Sequence, residues 1–246
     1  ICMNAPKFLS SGDSAITVEF GNEISAEINA CVHALDKALH KKNILGIVET
    51  VPTFRSLLII YDPCITGGEK LKAKITKLCG DLEASSEGKK RIIEIPVLYG
   101  GEYGEDLKDV AEINKLTEDE VIKIHSGTDY LIYMLGFLPG FAYLGGLDPR
   151  LHTPRLDSPR TCIPAGSVGI GGAQTGVYPL ASPGGWQLLG RTPVSVFDRQ
   201  RQEPILYRAG DLVHFVPISP AEYEEIARAV AAGTYTVQVE EVPVCD

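Results

Sequence analysis

The sequence predicts a small α+β domain followed by an all-β domain. In the N-terminal part, apolar residues alternate or recur with helical spacing in the order strand, helix, strand, strand, helix. A polar stretch without a buried face, residues 81–90, then separates two apolar regions. From Tyr130 onward, short apolar runs are interrupted by Gly and Pro, which is typical of a β-barrel or sandwich. We place the domain boundary between residues 88 and 89, giving domains 1–88 and 89–246.

The elements of the first domain follow from the period of its apolar residues. Alternation in AITVEF (15–20) predicts a strand, and apolar residues at helical spacing over 24–39 predict a helix. GIVET (46–50) and SLLIIY (56–61) predict two strands around a turn, and residues 71–79 predict a second amphipathic helix. This order favours a small sheet with its helices on one face.

The second domain is predicted to open with the strand RIIEIPVLYG (91–100) and two short helices. Thr117 and Glu120 form a capping-box pair at the start of the second helix. Ser219, followed by Pro220 and Glu222, predicts another capped helix. The closing alternation TYTVQVEEV predicts a late strand that either domain could receive, and the helix before it could return to the first domain with it. Five further apolar runs are predicted as strands: YLIYMLGF, GSVGIGG, PVSVF, ILYRAG and DLVHFVPI.

Charge and composition narrow the function classes. The formal charge of −9 disfavours nucleic-acid binding. The sequence contains neither an apolar run long enough to span a membrane nor a signal peptide, so we expect a cytoplasmic protein. The Cys and His spacings predict no metal site. Between Arg150 and Arg208, seven arginines accompany three acidic residues, a local charge of +4 that favours a small anionic ligand.

The glycine-rich stretch 162–186 resembles three catalytic or phosphate-binding motifs and matches none of them. A P-loop needs a lysine, and the last lysine is Lys123; a Rossmann fingerprint needs a glycine where Gln174 stands. Ser167 is one residue out of place for a GxSxG elbow. The remaining interpretations are a barrel rim that binds a small polar molecule and barrel-corner architecture alone.

Seven long strings are spread over almost the whole chain: SGDSAITVEFG, TFRSLLIIYDP, IPVLYGGEYGEDL, YMLGFLPGFAYLGGLDPRL, PRLDSPR, IPAGSVGIGGAQTGVYPLASPGGWQLLGRTP and GDLVHFVPI. They resemble the family of the 5-oxoprolinase B subunit, which also comprises the sporulation kinase inhibitor KipI and allophanate hydrolase subunit 1.

The resemblance implies a small α+β domain followed by a cyclophilin-like β-barrel. It also implies ATP-dependent opening of 5-oxo-L-proline to L-glutamate by the B subunit together with a C subunit (KipA-like) and an A subunit (LamB/YcsF-like). The B subunit is expected to be inactive alone, and the ATP site is expected on this chain or on a partner. Two alternatives stay open. One is a KipI-like inhibitor of a sensor histidine kinase, acting through the apolar segment LPGFAYLGG; the other is an allophanate hydrolase or urea carboxylase type of subunit.

The resemblance also assigns candidate site residues. Arg160 and Arg191 are expected to be catalytic residues that hold anionic groups of the ligand, with Arg160→Ala expected to abolish turnover and leave the fold intact. His125 is expected as an acid or base, or else as a cap of helix carbonyls. The expected substrate-binding residues are Gly140, Phe141, Arg155, Gln174 and Thr175.

Overall fold

In a computed structural model, the chain forms two compact units, and each has its own core. The structure describes residues 6–80 of the first unit and 89–243 of the second. The predicted linker, 81–90, lies mostly outside the described residues, and its last two residues, Lys89 and Lys90, already belong to a strand.

The first unit is a four-stranded antiparallel sheet with two helices. Its strand order is β1-β2-β4-β3, and β1 is an edge strand that the sequence pattern did not predict. The elements are β1 (Lys7–Ser10), β2 (Ala15–Glu19), α1 (Ala26–Lys42), β3 (Ile47–Pro52), β4 (Ser56–Tyr61) and α2 (Gly68–Gly80).

One face of this sheet carries the core of the unit. Alternate residues of β2 and β4, among them Val18 and Ile59, are fully buried, as are Leu35 of α1 and Ile75 of α2. Both helices therefore cover the same face, as the sequence predicted. The start of α1 is fixed by Ser25, whose hydroxyl accepts a hydrogen bond from the Ile28 N–H at 3.2 Å.

The second unit contains ten strands and three α-helices within residues 89–243. Its elements are β5 (Lys89–Tyr99), α3 (Leu107–Asn114), α4 (Glu118–Ser126), β6 (Asp129–Leu135), β7 (Ala142–Gly145), β8 (Arg160–Ile163), β9 (Ser167–Gly171), β10 (Gln174–Val177), β11 (Ser182–Gly184), β12 (Gln187–Arg191), β13 (Leu212–Pro217), α5 (Pro220–Ala231) and β14 (Val239–Pro243). Single turns of 3-10 helix lie at Gly101–Tyr103 and Pro149–Leu151.

Seven of these strands close into a barrel. Their order is β12-β9-β10-β7-β6-β13-β5, and β5 closes the ring by pairing with β12 through Tyr99 and Leu98. The long strand β5 also pairs in parallel with β13 and, at its start, antiparallel with β14. The late strand β14 thus belongs to the second unit, and β8 with β11 forms a separate two-stranded hairpin.

The barrel interior is a packed apolar core, to which Ile95, Ile132, Ile170, Leu189 and Phe215 contribute. This architecture confirms the predicted order of an α+β part and a cyclophilin-like barrel. Both predicted capping boxes are present: the side chains of Glu120 and Glu222 each accept from the backbone N–H of the cap residue three positions earlier.

Two predicted strands are not formed. PVSVF and ILYRAG meet only in an isolated bridge between Phe197 and Ile205. Pro193 and the exposed Ser195 interrupt the first run. In the second run, the Tyr207 hydroxyl donates a hydrogen bond to the backbone carbonyl of Gly140, and the residues around it do not pair with a strand.

Within 6–80 and 89–243, no helix has both the length and the apolar character that crossing a bilayer requires.

Candidate functional site

The candidate site is the outer face of β9, β10 and β12, the part of the barrel built by the glycine-rich stretch. Val168 and Ile170 of β9 point into the barrel core, so Ser167, Gly169 and Gly171 face outward. Of the seven glycines in residues 162–186, Gly169, Gly171, Gly176 and Gly184 lie within strands, and the other three lie in the connections between strands.

These outward glycines leave room for an aromatic ring. A β-carbon on Gly171 would overlap the indole of Trp186, and one on Gly176 would lie 3.2 Å from the same ring. Close approach of a ring to the strand backbone is thus the physical reason for glycine at both positions.

An aromatic layer covers this face; it consists of Phe141, Ile163, Tyr178, Trp186 and Leu188. Phe141 is 3% exposed, and its ring makes edge contacts with Trp186 at 5.6 Å and with Tyr178 at 5.5 Å between centroids. Such contacts stabilise beyond the area they bury. Phe141 thus packs within the layer, where only a small part of it can meet a ligand.

Gly140 positions the loop that carries Phe141. Its φ of +81° is a left-handed backbone conformation, and its carbonyl accepts a hydrogen bond from the Tyr207 hydroxyl at 2.7 Å. A β-carbon there would lie 2.9 Å from Cβ of Phe197. The geometry accounts for this glycine by loop shape alone.

Arg155 lies on the aromatic layer from the solvent side. Its guanidinium carbon is 5.9 Å from the ring centroid of Trp186, a cation–π contact. The side chain is exposed and makes no ion pair or hydrogen bond within residues 6–80 and 89–243. Arg155 is therefore a free cation beside an aromatic surface.

Arg160 is held by two acidic residues. Its Nη2 donates to Oδ1 of Asp106 at 2.7 Å, and its Nε lies 3.1 Å from Oε1 of Glu105. Asp106 is 4% exposed and also accepts from the backbone N–H of Leu188 at 2.6 Å. Because two carboxylates bind its guanidinium, Arg160 links β8 to the start of α3 and has a structural role there.

Arg191 has a different environment, at the end of β12. Its guanidinium lies over the Tyr103 ring, with the guanidinium carbon 5.1 Å from the ring centroid, a cation–π contact. Tyr223 of α5 contacts Tyr103 at a centroid distance of 4.8 Å. In the part of the chain that the structure describes, the Arg191 side chain forms no hydrogen bond and no ion pair, and its buried Nε has no partner.

Ser167 pairs directly with Arg191 across β9 and β12. Ser167 is fully buried, and its hydroxyl oxygen, like Nε of Arg191, has no hydrogen-bond partner among the described residues. We call these two residues the arginine–serine pair. From the sequence, Ser167 was considered only as a hydrolase nucleophile. The pairing of β9 with β12, which brings Ser167 next to Arg191, could not be predicted from the sequence pattern.

His125 and Thr175 lie inside the barrel. Thr175 donates its hydroxyl proton to the Gly169 carbonyl at 3.0 Å, so its oxygen accepts from Nε2–H of His125 at 2.8 Å. Nδ1 of His125 then accepts from the Tyr99 hydroxyl at 2.7 Å. Every polar group in this chain of hydrogen bonds has a partner, and together they fix the neutral form of His125.

The protonation of His125 agrees with this geometry. Burial lowers the pKa of His125 to about 3, and its ring stacks on Phe215 at a centroid distance of 4.7 Å. The ring is fully buried. The environment of His125 is thus that of a neutral core residue, without a route to solvent for proton exchange.

Gln174 begins β10 opposite Gly171, on the outer face with the aromatic layer. It is partly exposed, and its amide makes no hydrogen bond within the described residues.

Of the predicted site residues, the structure brings Phe141, Arg155 and Arg160 together around Trp186. Arg191 lies farther along β12, about 10 Å from Leu188 at the usual strand rise.

Nowhere in residues 6–80 and 89–243 do three or more His, Cys, Asp or Glu side chains come together as a metal ion would require.

Comparison with known proteins gives this geometry its family context. The model of the carboxyltransferase domain, subdomain C and D, matches residues 6–207. The chain is 46% identical over 222 residues to the 5-oxoprolinase B subunit of Bacillus subtilis, covering 86% of this chain and 92% of that protein. It is 49% identical over 170 residues to the 5-oxoprolinase B subunit of Haemophilus influenzae, covering 69% and 79%.

A solved structure shows the same fold. The crystal structure of the Kluyveromyces lactis urea carboxylase superposes with a TM-score of 0.80 at 24% identity, covering 96% of this chain and 24% of that one. At that identity the likeness concerns the fold alone. Because the family model spans most of the chain and the two bacterial relatives match over most of their own lengths, the chain belongs to the family of the 5-oxoprolinase B subunit.

Proposed function

We propose that this chain is the B subunit of an ATP-dependent 5-oxoprolinase that opens 5-oxo-L-proline to L-glutamate. The observation that carries the proposal is its 46% identity over 92% of a protein named as the B subunit of 5-oxoprolinase. In this proposal the chain works with an A subunit and a C subunit and is inactive alone. Because ATP is supplied inside cells, a cytoplasmic complex is part of the proposal.

The proposed reaction explains the need for ATP. A lactam is a resonance-stabilised amide, so its carbonyl carbon is a poor electrophile. Transfer of the γ-phosphoryl group of ATP to the carbonyl oxygen releases ADP and activates that carbon. Water then adds to the carbon, and the bond from carbon to the ring nitrogen breaks, which frees the amino group and leaves an acyl phosphate. A second water hydrolyses this acyl phosphate to the carboxylate of glutamate and inorganic phosphate. Positively charged groups stabilise the negative charge that develops on oxygen.

The two unpaired arginines of the outer face are the residues we propose for binding anionic groups. Arg155 lies over Trp186, and Arg191 lies over Tyr103; each guanidinium keeps its N–H groups free of protein partners within the described part of the chain. Gln174, with its free amide on the same face, is the proposed partner of the lactam amide. Arg160 then acts as a positioning residue, because Asp106 and Glu105 already hold it.

The glycine-rich stretch lacks the geometry of a nucleotide phosphate cradle. Four of its seven glycines lie in strands, two of these, Gly171 and Gly176, pack against the ring of Trp186, and no helix begins at the end of the stretch. We therefore assign ATP binding to a partner protein and route no step of phosphoryl transfer through this chain.

The proposal is tested by the release of glutamate and ADP from 5-oxo-L-proline and ATP. The assay contains the A and C subunits, with and without this chain. Appearance of both products only when this chain is added supports the proposal. Equal product release in its absence, with every protein folded, would refute it.

A second candidate function, inhibition of a sensor histidine kinase, is favoured by one observation. Phe137 is 66% exposed and has a φ of +69°, an unusual conformation for an aromatic residue, and it lies beside the apolar segment expected to contact a kinase. Phe141 of that segment is buried, so Phe137→Asp is the informative variant. Loss of kinase inhibition by that variant, with oxoprolinase activity retained, would support an inhibitory role; inhibition unchanged by it would contradict this contact surface.

A further inference from the structure

We infer that the arginine–serine pair, Ser167 with Arg191, is a binding site for the carboxylate group of a small substrate. The naming of 5-oxo-L-proline as that substrate rests on the proposed function. The carboxylate site itself rests on four observations about the outer face of the barrel.

The first observation is register. Ser167 of β9 and Arg191 of β12 are direct antiparallel partners, so their side chains leave the sheet on the same face. That face is the outer one, because the neighbouring Val168 points into the core. The hydroxyl and the guanidinium stem therefore start next to each other on one surface.

The second observation is that both polar groups lack partners. The Ser167 hydroxyl oxygen and Nε of Arg191 are buried, and no described residue bonds to either. Buried polar groups in folded proteins are satisfied in the great majority of cases, and an exception calls for a ligand or a bound water. Two neighbouring exceptions on one face indicate a site that something else completes.

The third observation is the contact between Tyr103 and Arg191. The guanidinium carbon lies 5.1 Å from the centroid of the Tyr103 ring, and this cation–π contact involves no oxygen or nitrogen acceptor, so the N–H groups keep their capacity to donate hydrogen bonds. A carboxylate binds a guanidinium in its plane through two parallel hydrogen bonds. Nε–H and one terminal N–H of Arg191 supply such a fork, and the Ser167 hydroxyl supplies a further donor.

The fourth observation is the difference in ion pairing between Arg191 and Arg160, the first residue of β8. Arg160 is paired with Glu105 and Asp106. Arg191 lies beside the phenol rings of Tyr103 and Tyr223, and within 6–80 and 89–243 no carboxylate forms an ion pair with it. Arg191 therefore retains its positive charge for an incoming anion.

The donor set indicates the class of anion. One guanidinium fork and one hydroxyl match the two oxygens and single negative charge of a carboxylate. 5-Oxo-L-proline carries such a group next to its lactam ring, and 2-pyrrolidinone has the same ring without it. These two compounds are therefore a matched pair of probes.

The test is nuclear magnetic resonance of the arginine Nε–H signals in the full-length, 15N-labelled chain. On titration with 5-oxo-L-proline, the Arg191 signal is expected to shift, and 2-pyrrolidinone is expected to leave it unchanged. Ser167→Ala is expected to weaken binding five- to tenfold, and Arg191→Lys more than tenfold. Arg199→Lys, at an exposed arginine of the same unit, is the control and is expected to bind as the native chain does.

Each outcome decides the inference. No shift of Arg191 with 5-oxo-L-proline, or an equal shift with 2-pyrrolidinone, would overturn it. An unchanged affinity of Ser167→Ala would remove the serine from the site. The proposed function fails separately: if the chain binds the carboxylate but the assembled complex releases no glutamate, the site stands and the oxoprolinase proposal falls. If the complex releases glutamate but the Arg191 signal does not shift, the oxoprolinase proposal stands and the carboxylate site falls.

Discussion

The interior of the barrel and its outer face each place a buried hydroxyl beside a nitrogen-bearing side chain. Inside, Thr175 and His125 belong to a chain of hydrogen bonds that begins at Tyr99 and ends at a carbonyl, and no group in it is left over. Outside, Ser167 and Arg191 are strand partners, and neither the hydroxyl nor Nε is satisfied by a described residue. Both pairs contain residue types that commonly serve in catalysis.

The difference shows that hydrogen-bond satisfaction separates structural polar groups from candidate ligand-binding groups better than residue type does. A completed network stabilises the core and has no capacity for a ligand. A hydrogen-bond network with unsatisfied buried groups lowers the stability of the fold unless a ligand or a water molecule supplies the missing partners. The following experiments test this comparison, beginning with the interior.

Replacing His125 by Ala is expected to have the largest effect on stability. The variant loses the stack on Phe215 and leaves the hydroxyls of Tyr99 and Thr175 without their partner. We expect the free energy of unfolding to fall by about 4 kcal/mol, measured by urea denaturation. His40→Ala, at an exposed position of α1, is the control and should change little. A loss in His125→Ala no larger than in His40→Ala would contradict the interior network.

Removal of Asp106 tests the tie that holds Arg160. The Asp106→Ala variant leaves a partly buried guanidinium and the Leu188 N–H without their carboxylate. We expect a loss of about 3 kcal/mol in the free energy of unfolding. Glu105→Ala removes the more exposed carboxylate of the same arginine and is expected to cost much less. Equal losses in the two variants would show that Asp106 is not the main partner.

The same tie changes the expectation for Arg160→Ala. Because Arg160 joins β8 to Asp106, we expect this variant to lose stability as well as activity, so its turnover alone does not test an anion-binding role.

Substitution of Gly171 tests whether the aromatic layer packs directly against the strand backbone. In Gly171→Ala, the added methyl group overlaps the Trp186 indole, and the layer must shift. We expect a destabilisation of about 2 kcal/mol and a change in tryptophan fluorescence, since the chain has one tryptophan. Gly67→Ala, where no atom lies within 4 Å of the added carbon, is the control. Native fluorescence and stability in Gly171→Ala would contradict the close approach.

Acid titration should detect the neutral His125. Its folded pKa of about 3 lies below the ordinary value of 6.5, so between these values the unfolded chain binds more protons than the folded one. Stability is therefore present above pH 6.5 and is lost as the pH falls through this window. Between pH 6.5 and 5, the native chain is expected to lose about 1 kcal/mol per pH unit more than His125→Gln. Identical pH slopes of the two proteins would contradict the assignment.

Much of the fold could be predicted from the sequence, because its signals are local. The alternation in SLLIIY matches β4 residue for residue, and the capping residues Thr117 and Ser219 mark where α4 and α5 begin. The edge strand β1 was missed because its residues are mostly exposed and lack a clear alternation. PVSVF and ILYRAG have the composition of strands but form only one bridge, since tertiary contacts decide whether such runs pair.

The candidate site could be predicted only in part, because it depends on contacts between distant residues. The family motifs located the arginines, but which of them has a free charge depends on Asp106, more than fifty residues before Arg160 along the chain. The resemblance also selected His125, and its burial became visible only with the barrel closed. The glycines were expected at a rim, whereas Gly171 and Gly176 lie in strands, where the ring of Trp186 packs on them.

The most direct test of the comparison deletes one hydroxyl from each region of the barrel. Tyr99→Phe removes the first donor of the interior chain, and Ser167→Ala removes the unsatisfied hydroxyl of the outer face. For each variant, the free energy of unfolding is measured, together with the KM for 5-oxo-L-proline in the complex with the A and C subunits. We predict that Tyr99→Phe loses about 1 kcal/mol with KM unchanged, and that Ser167→Ala keeps its stability while KM rises several-fold. A destabilised Ser167→Ala with a native KM would contradict the account.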